Sequence, residues 1–257
     1  MLDIRKADDR GRANHGWLQS RHTFSFGNYR DPRQQGFSDL LVINDDRVAP
    51  AQGFGTHGHR DMEIFSYVLE GALEHKDSMG TGSVIRPGDV QIMSAGTGVR
   101  HSEFNHSAQE PVHFLQIWLM TNEPGALPRY QEARFDEAGK RGRLRLIIAP
   151  DGTGGTNGTN GTNGTAGKEG TDGALAVRQD ARVYAGLFDG AEAATLELGP
   201  DRHAYVHVAR GSLDVNGERL AEGDGARIRN AGSLRLSGGD GAEVLVFDLR
   251  PNELPGL

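Results

Sequence analysis

Cysteine is absent from all 257 residues. The chain therefore has no disulfide framework, no thiolate zinc site and no cysteine nucleophile, and any metal must be held by His, Asp or Glu. Basic charge is in deficit too, with a formal net charge of −7 and a pI near 5.8. Direct binding to nucleic acid needs a concentrated basic surface, which this sequence does not display. Long apolar runs are equally scarce. The longest, such as FLQIWLM at 114–120, are far too short to span a bilayer, and the opening MLDIRKADDRGRANHGW scatters charges where a signal peptide would be apolar. These absences predict a soluble, cytoplasmic protein with no membrane and no direct nucleic-acid partner. Its length suits one large domain or two modules of roughly 125 residues each.

What the chain does contain is short runs of Val, Ile, Leu, Phe and Tyr between Gly, Asp, Asn and Pro punctuation. SDLLVIND, EIFSYVLEG, SVIRPGDVQIM, VHFLQIWLM, RLRLIIAP, ARVYAGLFD, YVHVARG and EVLVFDLRP follow one another in this way. That spacing predicts an all-β sandwich or barrel. The one clear helical candidate is PRYQEARFDEAGK, residues 128–140, near the middle of the chain. Placing the boundary there divides the protein into an N-terminal module 1–127, a connecting helix or linker 128–140 and a C-terminal module 141–257. Residues 152–173, GTGGTNGTNGTNGTAGKEGTDG, are low-complexity and have almost nothing to bury, so a flexible insertion is expected. Its three Asn-Gly-Thr sequons, at Asn157, Asn160 and Asn163, carry little weight without a secretory signal.

The two halves repeat one another. SYVLEGALE (66–74) matches VHVARGSLD (206–214), RPGD (86–89) matches AEGD (221–224), and QIMSAG (91–96) matches RIRNAG (227–232). The nearly constant offset indicates a duplicated β module, each copy supplying one barrel.

Chemistry concentrates in the first copy. His57 and His59 stand at i and i+2, so on a strand both imidazoles turn to one face. His101 and Glu103 repeat that spacing in GTGVRHSEFN (96–105). Two such strands side by side present three nitrogens and one carboxylate oxygen to a common centre. This set suits Fe(II), Mn, Co, Ni, Cu or Zn better than the all-oxygen preference of Mg or Ca. Four protein ligands on an octahedral ion leave two positions for substrate and oxygen. Glu63 is the rival carboxylate, but it lies about 13 Å beyond His59 along an ideal strand, which gives it a supporting or ion-pair role. His22, His75, His106 and His113 lack a comparably spaced partner and read as surface or hydrogen-bonded residues. In the second copy Glu197, Gly199, Ser237 and Gly239 fall on the four ligand positions, so one ion per chain is expected; His203 and His207 fall elsewhere.

His57-Gly-His59 with Glu63 resembles the first motif of the cupin superfamily, and Gly98-Val-Arg-His101-Ser-Glu103-Phe-Asn105 resembles the second. More closely, HTFSFGNYRDP (22–32), THGHRDMEIFSYVLEG (56–71), GTGVRHSEFN and QDARVYAG (179–186) resemble pirin and its bacterial homologues over nearly the whole chain apart from the insertion. The resemblance implies two tandem cupin jelly-roll barrels, a bicupin, with one metal in the N-terminal barrel on His57, His59, His101 and Glu103 and a degenerate second barrel without metal. It also implies Fe(II) as the usual divalent ion and quercetin 2,3-dioxygenase activity for bacterial members. The partners would then be a flavonol-like aromatic and O2, with Glu103 both ligand and general base. Phe24, Phe26, Phe54 and Phe65 are candidates for the apolar wall such a substrate needs, although core packing is the commoner role. Animal pirins act as non-enzymatic transcriptional cofactors, so the resemblance equally implies the alternative of a metal- or redox-sensing regulator with a protein partner.

Overall fold

The computed structural model describes residues 2–152, 173–230 and 232–252. Most of the expected insertion, with its three sequons, lies outside the described residues. Each apolar run named above falls within or across strands, because β-branched and aromatic side chains fit a pleated, half-buried surface while Gly, Asn and Asp supply the turns. No described helix is long and apolar enough to cross a membrane.

The described strands form three sheets. A four-stranded sheet runs in the order Gly53–His59, Val99–Asn105, Leu73–Asp77, Gly82–Ile85. A seven-stranded sheet runs Arg129–Arg134, Asp89–Ser94, Met62–Glu70, Val112–Met120, Leu40–Val48, Leu18–His22, Gly11–Asn14. Ser66 and Gln116 of the second sheet hydrogen-bond to Glu103 of the first, so the two sheets face one another and enclose one barrel. The third, nine-stranded sheet carries the C-terminal half, from Leu144–Pro150 onward. It also takes in Leu2–Arg5, which pairs antiparallel with Gly225–Arg229. The whole is an all-β bicupin.

The repeat is visible in the turns. In RPGD, the Asp89 carboxylate accepts from the Arg86 backbone N–H at 2.9 Å, and in AEGD the Asp224 carboxylate accepts from Ala221 N–H at 3.1 Å. Gly88 and Gly223 both take positive φ, 94° and 81°, to close these turns.

Strand parity decides what faces the site. Along Met62–Glu70, Ser66 points into the N-terminal barrel with Ile64 and Val68, so Glu63, Phe65, Tyr67 and Leu69 point out of it. Phe65, Tyr67 and Leu69 pack there against Val183, Leu245 and Phe247 of the C-terminal sheet, in one continuous core.

The helix expected over 128–140 is corrected by the structure. Arg129–Arg134 is a strand paired along its whole length with Asp89–Ser94, and only Glu137–Lys140 is helical. Glu, Ala and Arg are good helix formers, but intrinsic propensity amounts to tenths of a kcal/mol per residue, and burying Tyr130 and Gln131 at the edge of a sheet outweighs it. The remaining helical turn is capped by Asp136, whose carboxylate accepts from Gly139 N–H at 2.7 Å.

Candidate metal centre

His57 and His101 sit directly opposite one another across the antiparallel pair Gly53–His59 and Val99–Asn105, and His59 lies opposite Val99. Their Nε2 atoms are 3.1 Å apart. Two ligands at right angles on one ion, each about 2.1 Å from it, would be separated by about 3 Å. The ring of His59 stands 4.8 Å from that of His57 and 4.9 Å from that of His101, and its buried Nε2 has no hydrogen-bond partner. Three imidazoles converging with an orphaned nitrogen among them fit a divalent cation.

Glu103 shares the inward face of its strand with His101, as the i, i+2 spacing requires, because that strand pairs without a break with Leu73–Asp77. The pairing with Gly53–His59 slips between His101 and Glu103, so that Glu103 lies opposite Phe54 instead of Gly55. The extra residue belongs to Gly53–His59, and Glu103 stays beside His101. Its Oε2 is 3.9 Å from His101 Nε2, and it groups with His101 and His75, while His57, His59 and His101 form the other grouping. His101 belongs to both. Ser66 Oγ, at 3.3 Å, and Gln116 Nε2, at 2.7 Å, donate to the two oxygens of Glu103 and fix its orientation.

The nitrogens that face the centre are selected from behind. His57 Nδ1 lies 2.8 Å from the Gly55 carbonyl, which assigns the proton to Nδ1 and leaves Nε2 free to ligate. Behind His101, His75 Nδ1 lies 3.4 Å from His101 Nδ1, and His75 Nε2 lies 3.1 Å from an Asp77 oxygen. Asp77 accepts only, so it assigns the His75 proton to Nε2; His75 Nδ1 then accepts from His101, whose Nε2 is left bare. Sequence reasoning missed this Asp77–His75–His101 relay. The signal was present as His75-x-Asp77, a third i, i+2 pair on the adjoining strand.

Electrostatics reinforce the arrangement. Burial, followed by the neighbouring His57, lowers His59 to about 4, and burial followed by His57, His59 and His75 lowers His101 to about 2. Neutral imidazoles are the form that binds a metal. Burial raises Glu103 from 4.5 to about 7 against its hydrogen bonds from Ser66 and Gln116. In metal-free protein this has a definite sign. A carboxyl whose folded pKa exceeds its unfolded value contributes stability that is complete below about 4.5 and is lost as pH climbs through about 7. Metal-free Glu103→Gln, which cannot ionise, should therefore gain on the wild type by on the order of 2 kcal/mol between pH 5 and pH 8, read from paired denaturant titrations.

A cavity of about 770 Å³ opens from this centre between the two facing sheets. Phe26 and Phe54 line it, as the sequence allowed, together with Trp17, Tyr29 and Trp118. Phe24 and Phe65 are instead in the core shared with the C-terminal half. Glu63 is corrected as well. The turn at Arg60 and Asp61, with Asp61 at φ 48°, resets strand parity, so Glu63 faces away from His59 and accepts from Ser94 Oγ at 2.7 Å and Arg178 N–H at 3.4 Å. Of the remaining histidines, His22 pairs with Asn44 and His113 with Asp45, both buried, while exposed His106 pairs with Glu74. His203 and His207 are buried in the C-terminal sheet.

A histidine cluster between the facing sheets of the first of two like barrels defines the metal-binding class of bicupins. Residues 4–119 match the family model Pirin, and residues 165–249 match the model described as the quercetinase C-terminal cupin domain. The chain belongs to the pirin family. It is 44% identical over 252 residues to the quercetin 2,3-dioxygenase of Escherichia coli K12, covering 98% of this chain and 100% of the other. It is 36% identical to the pirin-like protein of Caulobacter vibrioides, covering 96% and 99%. The crystal structure of the Escherichia coli bacterial pirin YhhW in complex with nickel(II) matches at a TM-score of 0.86 and 43% identity, over 98% of this chain and 100% of that one.

Proposed function

We propose that this protein is a metal-dependent dioxygenase that opens the heterocyclic ring of a flavonol-type aromatic. The observation that carries the proposal is the His57, His59 and His101 cluster at one end of an aromatic-walled cavity large enough for a planar polycyclic substrate. The activity named for the Escherichia coli relative and the nickel(II) in its structural counterpart support it.

One divalent ion per chain would be held by His57, His59 and His101, with Glu103 completing the set from beside His101. Among the described residues, both groupings of metal-competent side chains lie in the N-terminal half. Nitrogen donors with one carboxylate suit Fe(II), our first choice, and also Ni, Co, Mn, Cu or Zn. Bound there, such an ion supplies Lewis acidity that favours the ionised form of a substrate hydroxyl. The chain does the rest. Glu103 would accept that hydroxyl's proton, and Ser66 and Gln116 keep its oxygens in place. Trp17, Phe26, Phe54 and Trp118 hold the ring system and keep water from the reacting carbons.

The test is direct. Iron-loaded protein given quercetin in air should bleach the flavonol absorption with stoichiometric oxygen uptake and release of carbon monoxide, and an anaerobic control should not. Metal-loaded protein that consumes no oxygen with any of a panel of flavonols and catechols would overturn the proposal.

A further inference from the structure

The cavity has a second polar pole that the histidine cluster does not use. Ser20 and His22 come from Leu18–His22, and Asn44 and Asp46 from the adjoining Leu40–Val48. Alternate residues of a strand share a face, and the register Ser20↔Asp46, His22↔Asn44 sets these four side chains in a square on the cavity wall. His22 Nδ1 is 2.8 Å from Asn44 Oδ1 and 3.3 Å from Ser20 Oγ, so two edges of the square are already paired. Asp46 is different. It is 3% exposed, and its Oδ1 has no hydrogen-bond partner.

A buried acceptor without a donor is costly, and native structures rarely leave one. Between the two poles the walls are aromatic. Trp17 and Phe54 meet edge to face at 5.2 Å, and Phe26 and Trp118 at 5.4 Å, with Trp118 also 4.9 Å from the His59 ring. His57 of one sheet and the Ser20–Asp46 square of the opposite sheet both line this slot, within reach of one planar molecule lying in it.

The geometry points to a substrate-recognition subsite in which Asp46 accepts a hydrogen bond from a phenolic hydroxyl remote from the oxygen that meets the metal centre. The inference rests on the dioxygenase proposal for the orientation of the ligand and narrows its substrate class. The substrate is a planar aromatic with a chelating oxygen pair at one end and a free O–H at the other. Burial, opposed by a hydrogen bond from Ser20 and reinforced by the Asp45 and Glu103 carboxylates, raises the Asp46 carboxyl to about 7. A donated hydroxyl returns the solvation that the wall removes.

Both tryptophans of the chain, Trp17 and Trp118, line the cavity, so quenching of intrinsic fluorescence reports occupancy without turnover. Metal-loaded full-length protein is titrated anaerobically with quercetin and with 3-hydroxyflavone, which keeps the chelating 3-hydroxyl and 4-carbonyl but has no other hydroxyl. The wild type should bind quercetin about tenfold or more tighter, the range of a hydrogen bond to a buried charged acceptor. Asp46→Leu should erase that preference while leaving the Kd for 3-hydroxyflavone within about twofold, and the shape-preserving Asp46→Asn should lie between. Should Asp46→Leu fail to fold, a quercetin preference undiminished in Asp46→Asn overturns the subsite. So does a wild type that shows no preference, or an Asp46 variant that weakens both ligands equally. An intact, Asp46-dependent preference with no oxygen uptake in air would refute the dioxygenase proposal and leave the subsite standing.

Discussion

His101→Ala is expected to abolish turnover and strip the protein of tightly bound metal. His101 is shared by both groupings of candidate ligands, faces His57 across the strand pair at 3.1 Å between Nε2 atoms, and is backed by His75. The loss should exceed the 10- to 100-fold that removal of a merely supporting residue typically causes. Elemental analysis and oxygen-electrode rates on the same preparation provide the check. Wild-type metal content in this variant would place the ion elsewhere.

The two buried glutamates should separate cleanly. Glu103→Gln keeps the shape of the side chain beside Ser66 and Gln116 but removes the one carboxylate grouped with His101 among the described residues, and it should abolish activity and greatly weaken metal retention. Glu63→Gln should leave metal content and turnover within about twofold, because that side chain lies on the opposite face of its strand; it should instead cost about 1–2 kcal/mol of stability by weakening the contacts to Ser94 and Arg178. Metal analysis beside thermal denaturation distinguishes the two effects. Metal loss in Glu63→Gln as severe as in Glu103→Gln would mean that the strand parity assigned here is wrong.

The architecture was legible because its determinants are local. Alternating and continuous apolar runs punctuated by glycine mark strands wherever they occur, and Gly-Asp turns recur at a nearly constant offset because each joins the same two consecutive strands in each barrel. The histidines were legible for the same reason. An i, i+2 pair on a strand shares a face whatever the strand pairs with, and the register then places His57 opposite His101. What escaped depends on pairing and parity that no local pattern encodes. Arg129–Arg134 carries helix-favouring residues and becomes a strand only because an open edge beside Asp89–Ser94 receives it. Glu63 changes face because of one positive φ at Asp61. Asp46 could not be noticed at all, since its significance is an unpaired oxygen in a wall built from two strands.

The first described strand binds a strand far along the sequence. Leu2 pairs with Ile228, and the next residues follow it in with Lys6 and the Ala7 N–H on Asp224, each at 2.8 Å. During synthesis at about 5–20 residues per second, roughly 10–45 s separate the emergence of these partners. The N-terminal segment must therefore wait, unpaired, while the barrel next to it in sequence assembles, and then dock onto the edge of the other one. Completion of the second barrel becomes a chain-closing event, and an N-terminal fusion would be felt not in the metal-binding half it adjoins but in the half made last.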